Sequence, residues 1–445
     1  MEKLKKLTYS QNIVLAFLLL AIVGSLLLSC PIASKTGQWT PFLNSLFTSI
    51  SALCVTGLVV YDTFSHWSYF GQAIILILIQ IGGVGFMTII TSLSLILKRK
   101  VGLHERQLLL ESSGFLHSSN LIKLIRRILL FVFIIEGVGA VLLSIRFIPE
   151  FGWSTGIYYG VFHSISAFCN AGFDLFGNVK AGSSLTSYVS DPLISLTVCL
   201  LIILGSLGFM VWEDLLRHKF NAKEYSFHTK IVLFMSISLL IIGWISFYLL
   251  ENQQAMKNLS DPNKLIASLF LSVSPRTAGF SIIPLDHLSS PSLFLTFILM
   301  NIGGASGSTS GGLKVTTFAI LLFSAISSAQ RKPTVSVFKR RFDNETIQQT
   351  SALLTFYLII GLSGSFVLSA LNNFPIEKIV FEVFSALGTA GFSLGFSAHI
   401  HGISKLIIIL FMFIGRVGWM VLIFSLVGTN KKPPVRRVSE KILVG

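Results

Sequence analysis

The sequence predicts an all-α polytopic membrane protein, four successive units of helix, re-entrant hairpin and helix. Three observations carry that prediction: an apolar composition, basic residues confined to alternate connections, and two glycine signatures that recur four times in one order.

Of 445 residues, 53% are hydrophobic and 12% charged, about half the charged share of a soluble domain. Apolar stretches run over residues 12–30, 72–97, 128–147, 193–212, 231–250, 293–302, 313–329, 352–371 and 405–427. Most are long enough to cross roughly 30 Å of hydrocarbon at about 1.5 Å per residue. The first, Asn12 to Cys30 behind Lys3, Lys5 and Lys6, resembles a signal peptide, and Leu27-Leu28-Ser29-Cys30 faintly resembles a lipoprotein cleavage site. Its apolar core is long for a signal and no A-x-A-like site follows, so an uncleaved first span is expected.

Formal net charge is +15, and its placement decides its meaning. The cations fall in five groups: Lys98, Arg99, Lys100 and Arg106; Lys123, Arg126 and Arg127; Arg217, Lys219, Lys223 and Lys230; Arg331, Lys332, Lys339, Arg340 and Arg341; and Lys431, Lys432, Arg436, Arg437 and Lys441. These occupy every second connection, the positive-inside pattern, which places both termini in the cytoplasm and argues against a nucleic-acid partner. Membrane lipids or an acidic partner surface suit these connections, although topology alone accounts for them. Cys30, Cys54, Cys169 and Cys199 show no metal spacing, so reduced thiols are expected.

The first repeated line reads SISALCVTGL at 49–58, SISAFCNAGF at 164–173, LSVSPRTAGF at 271–280 and VFSALGTAGF at 383–392. The second reads IGGVGFM from Ile81, LGSLGFM from Leu204, IGGASG from Ile302 and IGRVGWM from Ile414. The units therefore divide as 1–100, 101–220, 221–335 and 336–445. Within each, a long apolar helix is followed by a segment too short to span, such as Phe42 to Leu53 or Ile376 to Leu387, ending at the glycine line. A second long helix closes the unit with basic residues. The short segments read as re-entrant pore helices entering from the extracellular side. Non-helical backbone at membrane depth survives only where it lines water or is buried in protein. The expected architecture is thus eight transmembrane helices and four pore helices around a central pore.

A potassium ion sheds water when rings of backbone carbonyls replace it, and glycine gives the backbone the dihedrals that aim carbonyls at an axis. Gly57, Gly172, Gly279 and Gly391 meet that need, among neighbours that are uncharged except for Arg276. The absence of an Asp or Glu ring disfavours a calcium-type filter. Pore-helix C-termini add partial negative charge. The alternative, glycines that merely turn between buried helices, fits one unit better than four in register.

These residues resemble the ion-translocating subunit of the Ktr/Trk/HKT superfamily of potassium transporters, nearest the bacterial KtrB type, over essentially the whole chain. The resemblance implies pore-lining carbonyls from Val55, Thr56 and Gly57, from Asn170, Ala171 and Gly172, from Thr277, Ala278 and Gly279, and from Thr389, Ala390 and Gly391. Retention of Gly57, where sodium-passing relatives carry serine, points to potassium. It implies a homodimer on a cytosolic ring of nucleotide-binding regulatory subunits of the KtrA type, contacted by the basic loops and the tail ending at Gly445. Potassium is then the substrate, sodium a candidate activator, and no covalent cofactor is expected. A nucleotide acts only through the separate subunit, since no G-x-G-x-x-G unit is present.

Between Asn301 and Leu313 run Ile302, Gly303, Gly304, Ala305, Ser306, Gly307, Ser308, Thr309, Ser310, Gly311 and Gly312. Each glycine costs a helix about 1 kcal/mol relative to alanine, so the helix breaks there, as helices do in ion paths. A close-packing GxxxG face is the alternative, but it would keep large residues between small ones. The resemblance implies an intramembrane loop that obstructs the pore below the filter. Arg416 stands where the other units carry Gly83, Ser206 and Gly304, and Lys314 ends the loop. A guanidinium there must face the pore or a partner. Two roles stay open: a cationic barrier bound to carbonyls or hydroxyls of residues 305–311, or a structural anchor of the fourth unit.

Glu213 and Asp214 lie near the cytoplasmic end beside Arg217, where a salt bridge or a solvated end is expected rather than a proton relay, while Glu136 is deeper and without a partner in the sequence. The expected activity is potassium uptake driven by membrane potential, worth about 2.3 kcal/mol per charge per 100 mV. A transporter coupling sodium or proton flux to a solute is the second reading, weakened by the scarcity of intramembrane carboxylates. An enzyme is disfavoured, because His66, His104, His117, His163, His218, His228, His287, His399 and His401 lie mostly in connections. His163, in the second pore helix, reads as packed or hydrogen-bonded.

Overall fold

The computed structural model describes residues 9–85, 121–178, 182–219 and 221–418. The basic groups around Lys98 and Lys431, and the tail to Gly445, lie outside the described residues. Four units follow one another. The leading helices are Tyr9–Ser29, Leu121–Phe151, Phe227–Glu251 and Asn344–Leu371. The pore helices are Phe42–Leu53, Trp153–Phe168, Asp261–Val273 and Ile376–Gly388. The closing helices are Tyr69–Val84, Pro192–Ser206, Ser290–Met300 and Ile403–Val417. The four leading helices are each long and apolar enough to cross a membrane. Their outward faces expose large apolar side chains such as Leu19, Leu26, Phe133, Val141, Ile242 and Phe366, as a lipid-facing surface requires. The chain is an all-α polytopic membrane protein.

Helix starts follow from capping. Ser68, Asp191 and Ser226 each accept a backbone N–H of the first turn, and Pro192 occupies the first position after Asp191. Leading and pore helices interlock through small residues. Ser49, Ser164 and Ser272 donate to the carbonyls of Ala21, Glu136 and Leu240 at 2.8, 2.6 and 2.8 Å. A β-carbon on Gly24, Gly139 or Gly243, one turn further along the leading helix, would run into those serine hydroxyls. In the fourth unit the place of the hydroxyl is taken by rings, Phe384 against Gly361 and Phe411 against Gly364.

These serines also expose an offset. Ser49 and Ser164 precede their signature glycines by eight residues, but Ser272 precedes Gly279 by seven. The third pore helix therefore reaches its hairpin one residue sooner, which a gap-free alignment of the four lines conceals.

The sequence singled out the third unit as broken; among the described residues the closing helix of every unit ends or bends at or near the second glycine line. Gly85, Gly208 and Gly418 end or bend their helices at φ of 93°, 91° and 90°, values that favour glycine. In the second unit the chain turns by 95° and continues as the helix Phe209–His218. In the third the helix stops at Met300 and resumes as Val315–Ala329.

Candidate functional site

The four signature glycines meet. A β-carbon on Gly57 would lie 2.6 Å from the oxygen of Ala171, one on Gly172 2.8 Å from that of Ala278, and one on Gly279 3.0 Å from that of Ala390. One on Gly391 would collide with the oxygen of Thr56, which closes the circle in chain order. Four short hairpins thus surround one axis.

Their backbones share one conformation. Val55, Asn170, Thr277 and Thr389 have φ of 55°, 58°, 73° and 50°, and the glycines two places on have 89°, 69°, 74° and 80°. Left-handed dihedrals at β-branched residues cost energy and persist where the surroundings impose them. The imposing bonds run back to the pore helices: the amides of Thr56, Ala171 and Ala390 donate to Ser51, Ser166 and Ser385 carbonyls at 2.8 Å each, and Ala278 to Ser274 at 3.0 Å. With the amides turned outward, none of the twelve carbonyls from Val55 to Gly57, Asn170 to Gly172, Thr277 to Gly279 and Thr389 to Gly391 accepts a hydrogen bond among the described residues. Eight of them belong to buried residues, and buried carbonyls left unpaired call for another partner.

Beyond the glycines the hairpins are braced from the pore helices, a support the glycine lines did not signal. Ser166 and Ser274 donate to the carbonyls of Phe173 and Phe280 at 2.7 and 2.5 Å. His163 donates from Nδ1 to Tyr159 at 2.7 Å and accepts the Leu175 amide at Nε2 at 3.2 Å, so it is a packed, hydrogen-bonded residue. Glu382 accepts the Ser393 hydroxyl at 2.9 Å and the Ser397 amide at 3.1 Å. The available signal was polar side chains at one face of otherwise apolar pore helices. Arg276 turns away from the axis, donating to Ser236 on the third leading helix at 3.3 Å.

The closing helices press directly on the pore helices. A β-carbon on Gly82, Gly205 or Gly415 would collide with carbonyls at the ends of the pore helices, those of Leu53, Phe168 and Leu387. Gly205→Ala is expected to cost about 1 to 3 kcal/mol by overpacking. A thermal melt of the purified variant matching wild type would contradict this.

Residues 303–312 lie immediately under the ring. Gly303, Ala305, Thr309 and Gly312 donate their amides to Leu313, Ser206, Gly205 and Gly415 at 2.8, 2.9, 3.2 and 3.2 Å, while Gly307 accepts the amide of Phe209 at 2.9 Å. The Thr309 hydroxyl donates to Phe168 at 3.1 Å, and Ser308 and Ser310 bond each other at 2.7 Å, with Ser310 accepting the Gly304 amide at 3.0 Å. A β-carbon on Gly208 would sit 2.9 Å from the Ser306 oxygen, and one on Gly311 would collide with the Thr389 hydroxyl. The loop is therefore wedged between the closing helices of the second and fourth units. Lys314 folds back on it, donating to Ser310 and Gly311 carbonyls at 2.6 and 3.4 Å. Arg416 donates to Thr309 within the loop, to Gly82, and to Gly83 at 3.3 Å, joining the loop to the first unit.

Glu136 has partners that the sequence did not reveal. Gln80, from the first unit, donates to both its oxygens at 3.1 Å, and Cys169 at the end of the second pore helix approaches at 3.9 Å. Glu136→Ala strands the Gln80 amide and is expected to lower stability by about 1 to 3 kcal/mol, with Glu136→Gln milder. Equal melting temperatures for the two variants would argue against this account. Past the bend of the second closing helix Glu213 pairs with Arg127 at 2.7 Å and not with Arg217, while Asp214 accepts from His218 at 2.9 Å.

Comparison with known proteins agrees with this architecture. The family model described as TrkH, cation transport protein, matches residues 10–430. The chain is 41% identical to the potassium/sodium uptake protein NtpJ of Enterococcus hirae, covering 99% of this chain and 98% of that protein. It is 38% identical to the Ktr system potassium uptake protein B of Bacillus subtilis, covering 96% and 94% of the two chains. The crystal structure of the potassium transporter TrkH from Vibrio parahaemolyticus superposes with a TM-score of 0.76 over 96% of this chain and 86% of that one, at 18% identity. The chain belongs to the TrkH family of cation transport proteins.

Proposed function

We propose that this chain takes up potassium through a carbonyl-lined pore on the axis of the four glycine hairpins, channel-like and driven by membrane potential. The observation that carries this reading is the set of twelve unpaired carbonyls, eight of them on buried residues, held in matching left-handed hairpins around one axis. Uncharged oxygens suit a monovalent cation that must bind and leave quickly. Relatives whose printed names describe potassium uptake support the same substrate. On this reading the repeat boundaries near 100, 220 and 335 hold, both termini are cytoplasmic, and residues 303–312 with Lys314 and Arg416 form the gate.

The working assembly is a homodimer on a cytosolic ring of nucleotide-binding regulatory subunits, with lipid around its outward faces and basic connections toward the ring. Sodium acts as an activator. The second reading, uptake coupled to sodium or proton flux, draws on the potassium/sodium name of one relative and on the buried Glu136. Rubidium uptake into proteoliposomes under an imposed potential, with sodium competition, is the test. Uptake that follows potential alone supports the channel-like reading; a reversal potential displaced by a sodium or proton gradient at fixed stoichiometry supports coupling, and absence of rubidium uptake overturns both.

A further inference from the structure

Between the third and fourth units the chain forms a small hairpin, Ser336–Val337 paired with Arg340–Arg341, whose two-residue turn is Phe338 and Lys339. Both turn residues are left-handed, with φ of 50° and 61°, as tight hairpin turns require, but such positions suit asparagine and glycine. For phenylalanine the conformation is an outlier that persists only where the surroundings hold it. The Phe338 ring meets that of Phe234 edge-on, at 6.0 Å between centroids. Phe234 belongs to Phe227–Glu251, a helix long and apolar enough to cross a membrane, and both Phe234 and Phe338 stay about half exposed. The turn therefore lies against a lipid-facing side of that helix. Val335, Val337 and Phe342 pack instead with Ile302, Ala305, Val315 and Ala319, and Phe342 meets Phe227 at 5.1 Å. Arg331, Lys332, Lys339, Arg340 and Arg341 are all exposed, and none forms an ion pair among the described residues. The acidic residues next in the chain, Asp343 and Glu345, stand at the N-terminus of Asn344–Leu371, where the helix dipole suits them.

We infer that residues 331–342 are a docking site for anionic lipid headgroups, with Phe338 among the acyl chains and Lys339, Arg340 and Arg341 on the phosphates. An aromatic side chain beside several cations is the composition of an element that lies where headgroups meet acyl chains. Each cation adds attraction to an anionic leaflet, and arginine matches a phosphate with two parallel N–H donors. An acidic protein surface would satisfy the same charges, but it gives no reason for an exposed phenylalanine to lie on the lipid-facing side of a transmembrane helix. A bilayer accounts for both. The leaflet is the one that this basic connection faces, which the proposed topology makes cytoplasmic. The site stands at the far end of Val315–Ala329, the helix that continues from residues 303–312, so headgroup binding also anchors the segment behind the proposed gate. Binding itself depends neither on that gate nor on uptake.

The test separates headgroup from acyl chain. Phe338→Trp in the full chain keeps a ring on Phe234 and reports from the turn, once the emission of the 6 native tryptophans is subtracted using wild type. In phosphatidylcholine vesicles, chain-brominated phosphatidylglycerol is expected to half-quench the added emission at a mole fraction about fivefold or more below that of chain-brominated phosphatidylcholine. Combining Lys339→Gln, Arg340→Gln and Arg341→Gln is expected to abolish that preference while quenching by phosphatidylcholine persists. Equal quenching by the two lipids in the parent overturns the site, as does a preference that survives the triple replacement. Absence of quenching by either places the turn in water or against a protein, and overturns it too. A second measurement needs no tryptophan: phosphatidylglycerol retained by the purified chain is expected to fall in the triple variant, at an unchanged melting temperature. Equal retention by wild type and the triple variant counts against the site.

Discussion

Gly391→Ala is expected to abolish selective uptake. Two penalties coincide at this residue. Its φ of 80° is strained for any side chain, costing roughly 1 to 2 kcal/mol, and the added carbon would collide with the Thr56 oxygen of the first hairpin. A backbone carbonyl cannot step aside without carrying its neighbours, so the displacement spreads from the fourth hairpin to the first. Loss of rubidium uptake, or of potassium-over-sodium preference, on the order of a hundredfold is the expected size. Gly57→Ser should behave similarly, because its β-carbon would lie 2.6 Å from the Ala171 oxygen. Wild-type selectivity in both variants would mean that the hairpins do not line the ion path.

Arg416→Ala should act in the opposite direction and raise uptake. The guanidinium holds the loop to the first and fourth units through carbonyls of Thr309, Gly82 and Gly83. Hydrogen bonds from a charged donor contribute about 1.5 to 3 kcal/mol each, so losing even one shifts a closed arrangement toward open by roughly tenfold or more. Removal of Ser306 to Gly311 takes away the same obstruction by another route. A rise in flux in both variants supports a gate. Unchanged flux in both removes the gate, and reduced flux with a lowered melting temperature in Arg416→Ala identifies a structural anchor instead.

Much of this was legible in the chain. Apolar length and alternating basic connections suffice for membrane helices, since the bilayer constrains composition over a whole segment. The glycine lines pointed to the ring because the second left-handed position of each hairpin, with φ of 69° to 89°, favours glycine. Arg416 and the 303–312 loop could be paired because a buried cation and a run of unpaired carbonyls each lack a partner. Less legible was where the other closing helices end or bend: Gly85, Gly208 and Gly418 stand in lines that hold two or three glycines each, and so few do not by themselves stop a helix. The third unit's one-residue offset was invisible for a similar reason, as pore-helix length leaves little trace in the residues around Gly279.

By itself the sequence determined the class of molecule, the fourfold repetition and the places where the backbone must leave regular helix, because each follows from local composition and from what lipid tolerates. Only the tertiary structure decided which groups face one another. Glu136 meets Gln80 and Cys169, Glu213 meets Arg127, Arg276 turns to Ser236, and the Asn170, Thr277 and Thr389 side chains gather above the loop. Each of these pairings joins helices or hairpins far apart in the chain, so each is set by how the elements pack and not by spacing along the sequence.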